Sequence, residues 1–316
     1  MITDIIVLII ALFLLVLSSN IFVSSSSRIA KHLGVSEMVI GLTLVAIGTS
    51  IPELSSAIAA SIFHESSLVI GNIVGANVAN IALIFGISLF LVVYINNKET
   101  LKELKFLFLV YILFFIFCLD LKISNFEGLI LLLGFIYYLY DVFRRKKKPE
   151  EYLEKHVKVH GIKKETLFNS IKYYLFFVFS LVVLIFSAKH FVISAINIAN
   201  YLDVSTKIIG VLMAIGTTFP ELSVTIQAAR KKFRGILVGD LVGSCIINVL
   251  LIIGVASSIN EIMLNNLVLY FEIPILVLIA FLMYIFFLKK IRYQKALAYS
   301  LIGIYILFLI LEFILI

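Results

Sequence analysis

The chain has 316 residues, of which 62% are hydrophobic and only 14% charged, with a mean hydropathy of +1.14. That composition excludes an ordinary soluble domain. The net charge of +7 could suggest a nucleic-acid partner, but the basic residues cluster between apolar runs, as membrane topology requires. Cys118 and Cys245 lie in separate apolar runs, so neither a disulfide framework nor a cysteine metal cluster is expected.

Ten apolar runs follow one another, at about 5–25, 38–62, 68–95, 104–121, 127–143, 168–193, 206–229, 236–259, 267–288 and 296–316. A helix needs about 20 apolar residues to cross a bilayer core. In lipid every backbone group must be satisfied within its own segment, so the expectation is an all-α membrane protein with ten transmembrane helices. The first run has no basic n-region and no small-residue cleavage site, and reads as a retained helix. It passes through Ser18-Ser19-Asn20 and Ser24 to Ser27 into an amphipathic connector expected around Arg28 to Val35.

The second run contains Gly48-Thr49-Ser50-Ile51-Pro52-Glu53, and the seventh contains Gly216-Thr217-Thr218-Phe219-Pro220-Glu221, 168 residues later. At the same offset, and without a gap, Gly71-Asn72-Ile73-Val74-Gly75-Ala76-Asn77-Val78-Ala79-Asn80 in run three aligns with Gly239-Asp240-Leu241-Val242-Gly243-Ser244-Cys245-Ile246-Ile247-Asn248 in run eight. The chain is therefore internally duplicated. Residues 1–143 form the first five-helix repeat, with its motif at 41–86; residues 168–316 form the second, with its motif at 210–254. Between them 144–167 is a basic loop containing Pro149. Five helices is an odd number, so the second copy enters the membrane inverted. Gly41 stands twelve residues before Glu53 but Gly210 only eleven before Glu221, so the helix near Leu212 is expected to be locally over- or under-wound. Pro274 in run nine reads as a simple kink.

With ten spans nearly all basic residues fall on one face: Arg28 and Lys31, Lys98 to Lys105, Arg144 to Lys172, Arg230 to Arg234, and Lys289 to Lys295. Only Lys122, Lys189 and Lys207 fall on the other. The positive-inside rule makes the crowded face cytoplasmic and puts both termini outside.

Pro52 and Pro220 each remove a backbone donor inside a span and push away the carbonyl four residues earlier. The freed carbonyls, the hydroxyls of Thr49, Ser50, Thr217 and Thr218, and the carboxylates of Glu53 and Glu221 are hard oxygen donors of the kind calcium or sodium takes. A charged side chain at such depth costs about 2.5–3.5 kcal/mol on insertion scales, and no lysine or arginine lies at matching depth. A divalent cation would neutralise the pair, and protons would compete for it. Asn80 and Asn248 recur eight residues after Asn72 and Asp240 on glycine-rich helices and are expected to contact the cation. Asp240 is expected nearer the cytoplasmic mouth, as a vestibule residue or hydrogen-bond anchor, with a direct role as a cation ligand as the alternative. Ser55, Ser223 and Gln227 are expected one or two turns behind the glutamates.

Gly-Thr-Ser-x-Pro-Glu followed by Gly-Asn-x-x-Gly-x-Asn in the first copy, with Gly-Thr-Thr-x-Pro-Glu followed by Gly-Asp-x-x-Gly-x-Cys in the second, closely resembles the cation/calcium exchanger superfamily, in its prokaryotic sodium/calcium exchanger branch, over nearly the whole chain. The resemblance implies that Glu53 and Glu221, with the carbonyls of Thr49 and Thr217, hold calcium near the midplane. It implies that Ala46, Ser50, Ala214, Thr218, Ser244, Asn80 and Asn248 help form sodium or water positions around it, and that the first and sixth helices slide across a fixed core. Ala76 stands where this branch usually has serine, Thr218 replaces serine, and Asn248 takes a position where some relatives carry aspartate.

The expectation is a secondary antiporter of the cell membrane, not an enzyme, that exports calcium against sodium without a cofactor. The alternative is a calcium/proton antiporter using the same glutamates. The expected partners are calcium and sodium ions and the lipid bilayer, with no nucleic acid and no nucleotide, in a chain working as a monomer. A passive channel fits poorly with an enclosed carboxylate pair, and a primary pump would need a nucleotide-binding domain that no loop is long enough to hold.

Overall fold

A computed structural model of the chain describes residues 1–92, 98–144, 167–202, 216, 218–289 and 293–315. Its helices are α1 (Ile2–Leu33), α2 (Glu37–Thr49), α3 (Ile51–Ile62), α4 (Ser66–Leu91), α5 (Lys98–Phe117), α6 (Asn125–Arg144), α7 (Leu167–Tyr201), α8 (Phe219–Arg230), α9 (Arg234–Ile259), α10 (Val268–Leu288) and α11 (Gln294–Leu315). Among the described residues seven are long and apolar enough to cross a membrane, and the pair α2 and α3, bent by 47° at Ser50, makes an eighth if counted as one broken span. Helix α5 carries Lys98, Glu99, Lys102, Glu103 and Lys105 in its first turns, which shortens its apolar stretch. Helix α8 is described over only 12 residues. The short turn near Leu212 lies outside the described residues.

Helix α1 runs further than the sequence suggests. The segment expected to be a connector stays helical to Leu33 and is closed by Gly34. Gly34 takes φ 65°, with its N–H on the Lys31 carbonyl and the Val35 N–H on the Ala30 carbonyl, so a left-handed cap rather than loss of amphipathicity sets the end. A two-residue antiparallel ladder, β1 (Lys122–Ile123) with β2 (Ile262–Met263), ties together two interhelical loops. Cys118 and Cys245 are both free and buried.

The sequence duplication is repeated in the backbone. Helices α3 and α8 are each 12 residues long and begin with proline in the first turn, after residues of the same conformation: Ser50 (φ −83°, ψ 6°) and Thr218 (φ −90°, ψ 4°). Each ends in a turn with a left-handed residue, His64 (φ 62°) and Lys232 (φ 61°). The N–H groups of Glu65 and Phe233 reach back to the carbonyls of Ala60 and Ala228 at 2.8 and 2.9 Å. In α4 and α9 a π-helical stretch follows, at Ala79–Phe85 and Asn248–Ile253, before Gly86 and Gly254 restore the α-helix. Further π turns occupy Gly41–Val45 in α2 and Val268–Glu272 in α10, the latter one residue short of Pro274.

Helices α4 and α9 are enclosed by the others, whereas α1, α6, α7 and α11 turn most of their side chains outward. Outward residues such as Phe13, Leu133, Leu175 and Phe179 are large and apolar, as a lipid-facing surface requires. Helix α9 packs on α2 and α6, α4 on α11 and α8, α5 on α10, and α1 lies along α7. The pair α1 and α7 is joined by polar contacts near both ends: Asn197 donates to Asp4 at 2.8 Å, and Arg28 donates to the Tyr173 hydroxyl at 2.5 Å while lying over its ring. Helix α1 is joined to the core by Ser223, which donates to Ser19 at 2.8 Å, and by Lys231, which donates to the Asn20 carbonyl at 2.9 Å, to the Asn20 amide oxygen and to the Ser24 hydroxyl.

The α2–α9 crossing depends on glycine. A Cβ on Gly239 would lie 2.7 Å from the Met38 carbonyl oxygen and 2.8 Å from the Gly41 Cα, and one on Gly243 would lie 2.9 Å from the Leu42 Cα. These glycines, one turn apart, let the two backbones touch, which is how small residues bring helices together in lipid. Gly239→Val is expected to destabilise the fold by about 1–3 kcal/mol through overpacking, read as a lower melting temperature in detergent. Gly303→Ala, whose new Cβ meets nothing within 4 Å, is expected to melt like the parent.

Candidate cation site

Two broken spans and two enclosed helices build the site. Proline in the first turn of α3 and α8 needs no intrahelical donor, so each helix restarts there instead of merely bending. The restart leaves the C-terminal end of α2, with Thr49, facing the N-terminal end of α3. Glu53 lies in the first turn of α3 and Glu221 in the first turn of α8, where the positive end of a helix dipole favours a carboxylate. Both glutamates are 1% exposed.

Helix α9 brings Asp240 and Ser244, one turn apart and completely buried, against Thr49 of α2. The Thr49 hydroxyl is 3.1 Å from Asp240 Oδ1, 3.3 Å from Ser244 Oγ and 3.3 Å from the Ala46 carbonyl oxygen. A single hydroxyl has one proton to donate, so oxygen atoms outnumber donors at this point. Glu221 is close enough to Glu53, Asp240 and the Thr49 hydroxyl to interact with each. Asn80 and Asn248 stand at the start of the two π-helical stretches, both buried, and Asn248 donates its amide to Asn77 Oδ1 across the halves at 2.8 Å.

Among the described residues several buried oxygens find no hydrogen-bond partner: Ser50 Oγ, both carboxylate oxygens of Glu53, Glu221 Oε2, Asp240 Oδ2, Asn80 Oδ1 and Asn248 Oδ1. All seven are acceptors or hydroxyls, and all belong to the motif segments. Buried polar atoms are nearly always paired, so such a concentration fits ligands for a hard cation. Among the described residues no three His, Cys, Asp or Glu side chains converge as a metal cluster. A cation held here must therefore draw on carbonyls, hydroxyls and amides beside the glutamates.

Of the expected residues, Glu53, Glu221, Thr49, Ser50, Thr218, Asn80, Asn248, Ser244, Ala46 and Asp240 are all buried in the motif segments of the core, and Thr49, Asp240 and Ser244 are brought into contact. Thr217 and Ala214 lie outside the described residues. Asp240 accepts from the Thr49 hydroxyl, as a hydrogen-bond anchor does, and is completely buried rather than lining an open vestibule. Ser55 points away from the site, exposed and bonded to the Ile51 carbonyl at 2.8 Å, and Ser223 instead joins α8 to α1. Asn77 closes the Gly-Asn-x-x-Gly-x-Asn motif yet takes no site role from the sequence; its place three residues before Asn80 is the signal that it shares that helix face. Gly48 packs against Leu181 of α7 and Phe22 of α1, and Gly216 against Val192 of α7, so the α1–α7 pair covers both breaks.

Comparison with known proteins agrees with this geometry. The profile of the family described as "Sodium/calcium exchanger protein" matches residues 3–144 and 172–314. The chain is 35% identical to sodium/calcium exchanger MaX1 of Methanosarcina acetivorans, over 89% of this chain and 90% of that one. It is 34% identical to the uncharacterized membrane protein MJ0091 of Methanocaldococcus jannaschii, over 87% of each. The solved structure of the sodium-calcium exchanger NCX_Mj, soaked with sodium and calcium, superposes with a TM-score of 0.83 at 30% identity, over 97% of both chains. This multi-pass membrane protein belongs to the sodium/calcium exchanger family.

Proposed function

We propose that the chain is a secondary antiporter of the cell membrane that exports calcium in exchange for sodium at the Glu53–Glu221 pair. The observation that carries this reading is the burial of those two carboxylates, in the first turns of duplicated proline-started helices, with three of their four oxygens unpaired among the described residues. Two carboxylates match the charge of one calcium ion, and sodium ions would match it only in pairs or with neighbouring oxygens. Competition between the two ions for one set of ligands is what couples their movement. The carbonyls of Thr49 and Thr217 complete the calcium shell, and Ala46, Ser50, Ala214, Thr218, Ser244, Asn80 and Asn248 supply sodium or water positions around it. The relatives named as sodium/calcium exchangers support the choice of ions.

In this reading the molecule has ten spans in two inverted halves, 1–143 and 168–316, with both termini outside and the 144–167 loop in the cytoplasm. The repeated backbone supports it, as does the pairing of helices: α4 with α11 mirrors α9 with α6, and α1–α7 and α5–α10 each pair a helix with its counterpart. Alternating access comes from sliding α1 and α7 together over the breaks they cover. Their mutual ties, Asp4–Asn197 and Arg28–Tyr173, travel with them, whereas the ties of Ser223 to Ser19 and of Lys231 to Asn20 and Ser24 must break. A monomer contains every part of this device.

Calcium-45 uptake into vesicles containing the purified chain is expected when the interior holds sodium, and not when it holds potassium or only an acid buffer. Uptake driven by the pH gradient alone would overturn sodium coupling in favour of proton exchange. Glu53→Gln and Glu221→Gln are each expected to abolish uptake; substantial exchange in both would remove the site. For topology, single cysteines at Glu65 and Lys147 are expected to react with impermeant reagents from opposite sides, and labelling from one side would refute the ten-span arrangement.

A further inference from the structure

Away from the motif segments, a second pair of carboxylates meets at the edge of the bundle. Glu272 ends the π turn of α10, and Glu312 lies in the last turn of α11. The rings of Phe271 and Phe308 stack at 6.0 Å, which sets these helices side by side. Phe308 and Glu312, four residues apart, share one face of α11, so Glu312 lies on the side that meets α10. Among the described residues Glu312 is the one charged side chain that acts on Glu272. Glu272 is 5% exposed and takes no hydrogen bond among those residues. Glu312 Oε2 is buried and unpaired as well, while part of that side chain reaches the surface.

The first half fills the same place differently. Lys102 is the fifth residue of α5 and Asp141 the fourth from the end of α6, and they join as an ion pair at 3.0 Å. Glu272 and Glu312 hold those two positions in α10 and α11, the counterparts of α5 and α6. A cation and an anion in one half are thus two anions in the other. Two carboxylates shielded from water with no cation between them repel each other and lose solvation. The backbone beside Glu272 adds a further oxygen. Ile273 donates to the Val268 carbonyl five residues back, and Pro274 has no N–H for the carbonyl that follows.

We propose that Glu272 and Glu312 hold one magnesium ion, which stands in for the missing ion pair and clips α10 to α11. Calcium takes about six to eight oxygens, more than two carboxylates and a carbonyl supply, whereas magnesium keeps several waters and needs only one or two carboxylates. The exposed side of Glu312 leaves room for those waters. Helix α11 packs on α4 along the π stretch that carries Asn80, so the clip steadies the scaffold behind the cation site. Neither glutamate belongs to the motif segments, and the inference stands apart from the exchange reading.

The test is thermal and does not depend on transport. The full chain in detergent at pH 8 is melted with magnesium chloride and with sodium chloride at matched ionic strength. Magnesium is expected to raise the melting temperature of the parent by on the order of 2 °C more than sodium does, and to leave Glu272→Gln and Glu312→Gln unmoved. Glu312→Lys, which restores an ion pair with Glu272, is expected to melt above the parent without magnesium and to gain nothing from it. No magnesium response in the parent, or an equal response in the glutamine variants, would overturn the proposal. A calcium response lost more completely than the magnesium response in those variants would overturn the choice of ion. If one glutamine variant yields no folded protein, the other decides on the same criterion. Failure of sodium-driven exchange in vesicles would defeat the exchange reading and leave this result standing.

Discussion

A carboxylate held in a hydrocarbon slab without a cationic side chain beside it is the constraint on which this molecule turns. Glu53, Glu221 and Asp240 are all buried, and the salt bridges recorded among the described residues lie elsewhere, at Asp4 and between Lys102 and Asp141. Folding such groups away from water is unfavourable unless the surroundings are arranged to receive a charge from outside. The helix N-termini at α3 and α8 lessen the cost, and a cation among the unpaired oxygens of the motif segments would lessen it further.

Other features of the fold serve that arrangement. Proline in the first turn ends one helix and starts another, so carbonyls are exposed where a continuous helix would hide them. Glycine at 239 and 243 lets α9 press its backbone onto α2, which brings Asp240 and Ser244 to Thr49. The π-helical stretches beginning near Asn80 and Asn248 widen one turn beside those buried amides, a placement typical of functional positions. Around this rigid centre the long helices α1 and α7 form a separate layer, tied to each other at both ends and to the core through a few polar contacts near Ser19 and Lys231.

Much of this was legible in the sequence because the duplication repeats polar residues where apolar ones would otherwise stand. Glu53 and Glu221, the prolines and Asn80 with Asn248 could be picked out by offset alone. Other features leave no such trace. A π turn changes the hydrogen-bond ladder without changing the residue types, so the stretches in α4 and α9 carried no signal. The end of α1 depended on a single left-handed glycine rather than on hydropathy. The depth of Asp240 depended on which helix faces which across the halves, and internal alignment pairs it only with Asn72. Ser55 kept its helical periodicity yet turned outward, because its hydroxyl is satisfied by its own helix.

The central claim is that one calcium ion and sodium contend for the same buried oxygens. Equilibrium binding of calcium-45 to the purified chain in detergent, repeated across a series of sodium concentrations, measures this directly. The account predicts one calcium per chain, displaced as sodium rises and absent when Glu53 and Glu221 are both changed to glutamine. Calcium binding that sodium leaves untouched, or that survives loss of both glutamates, would contradict it.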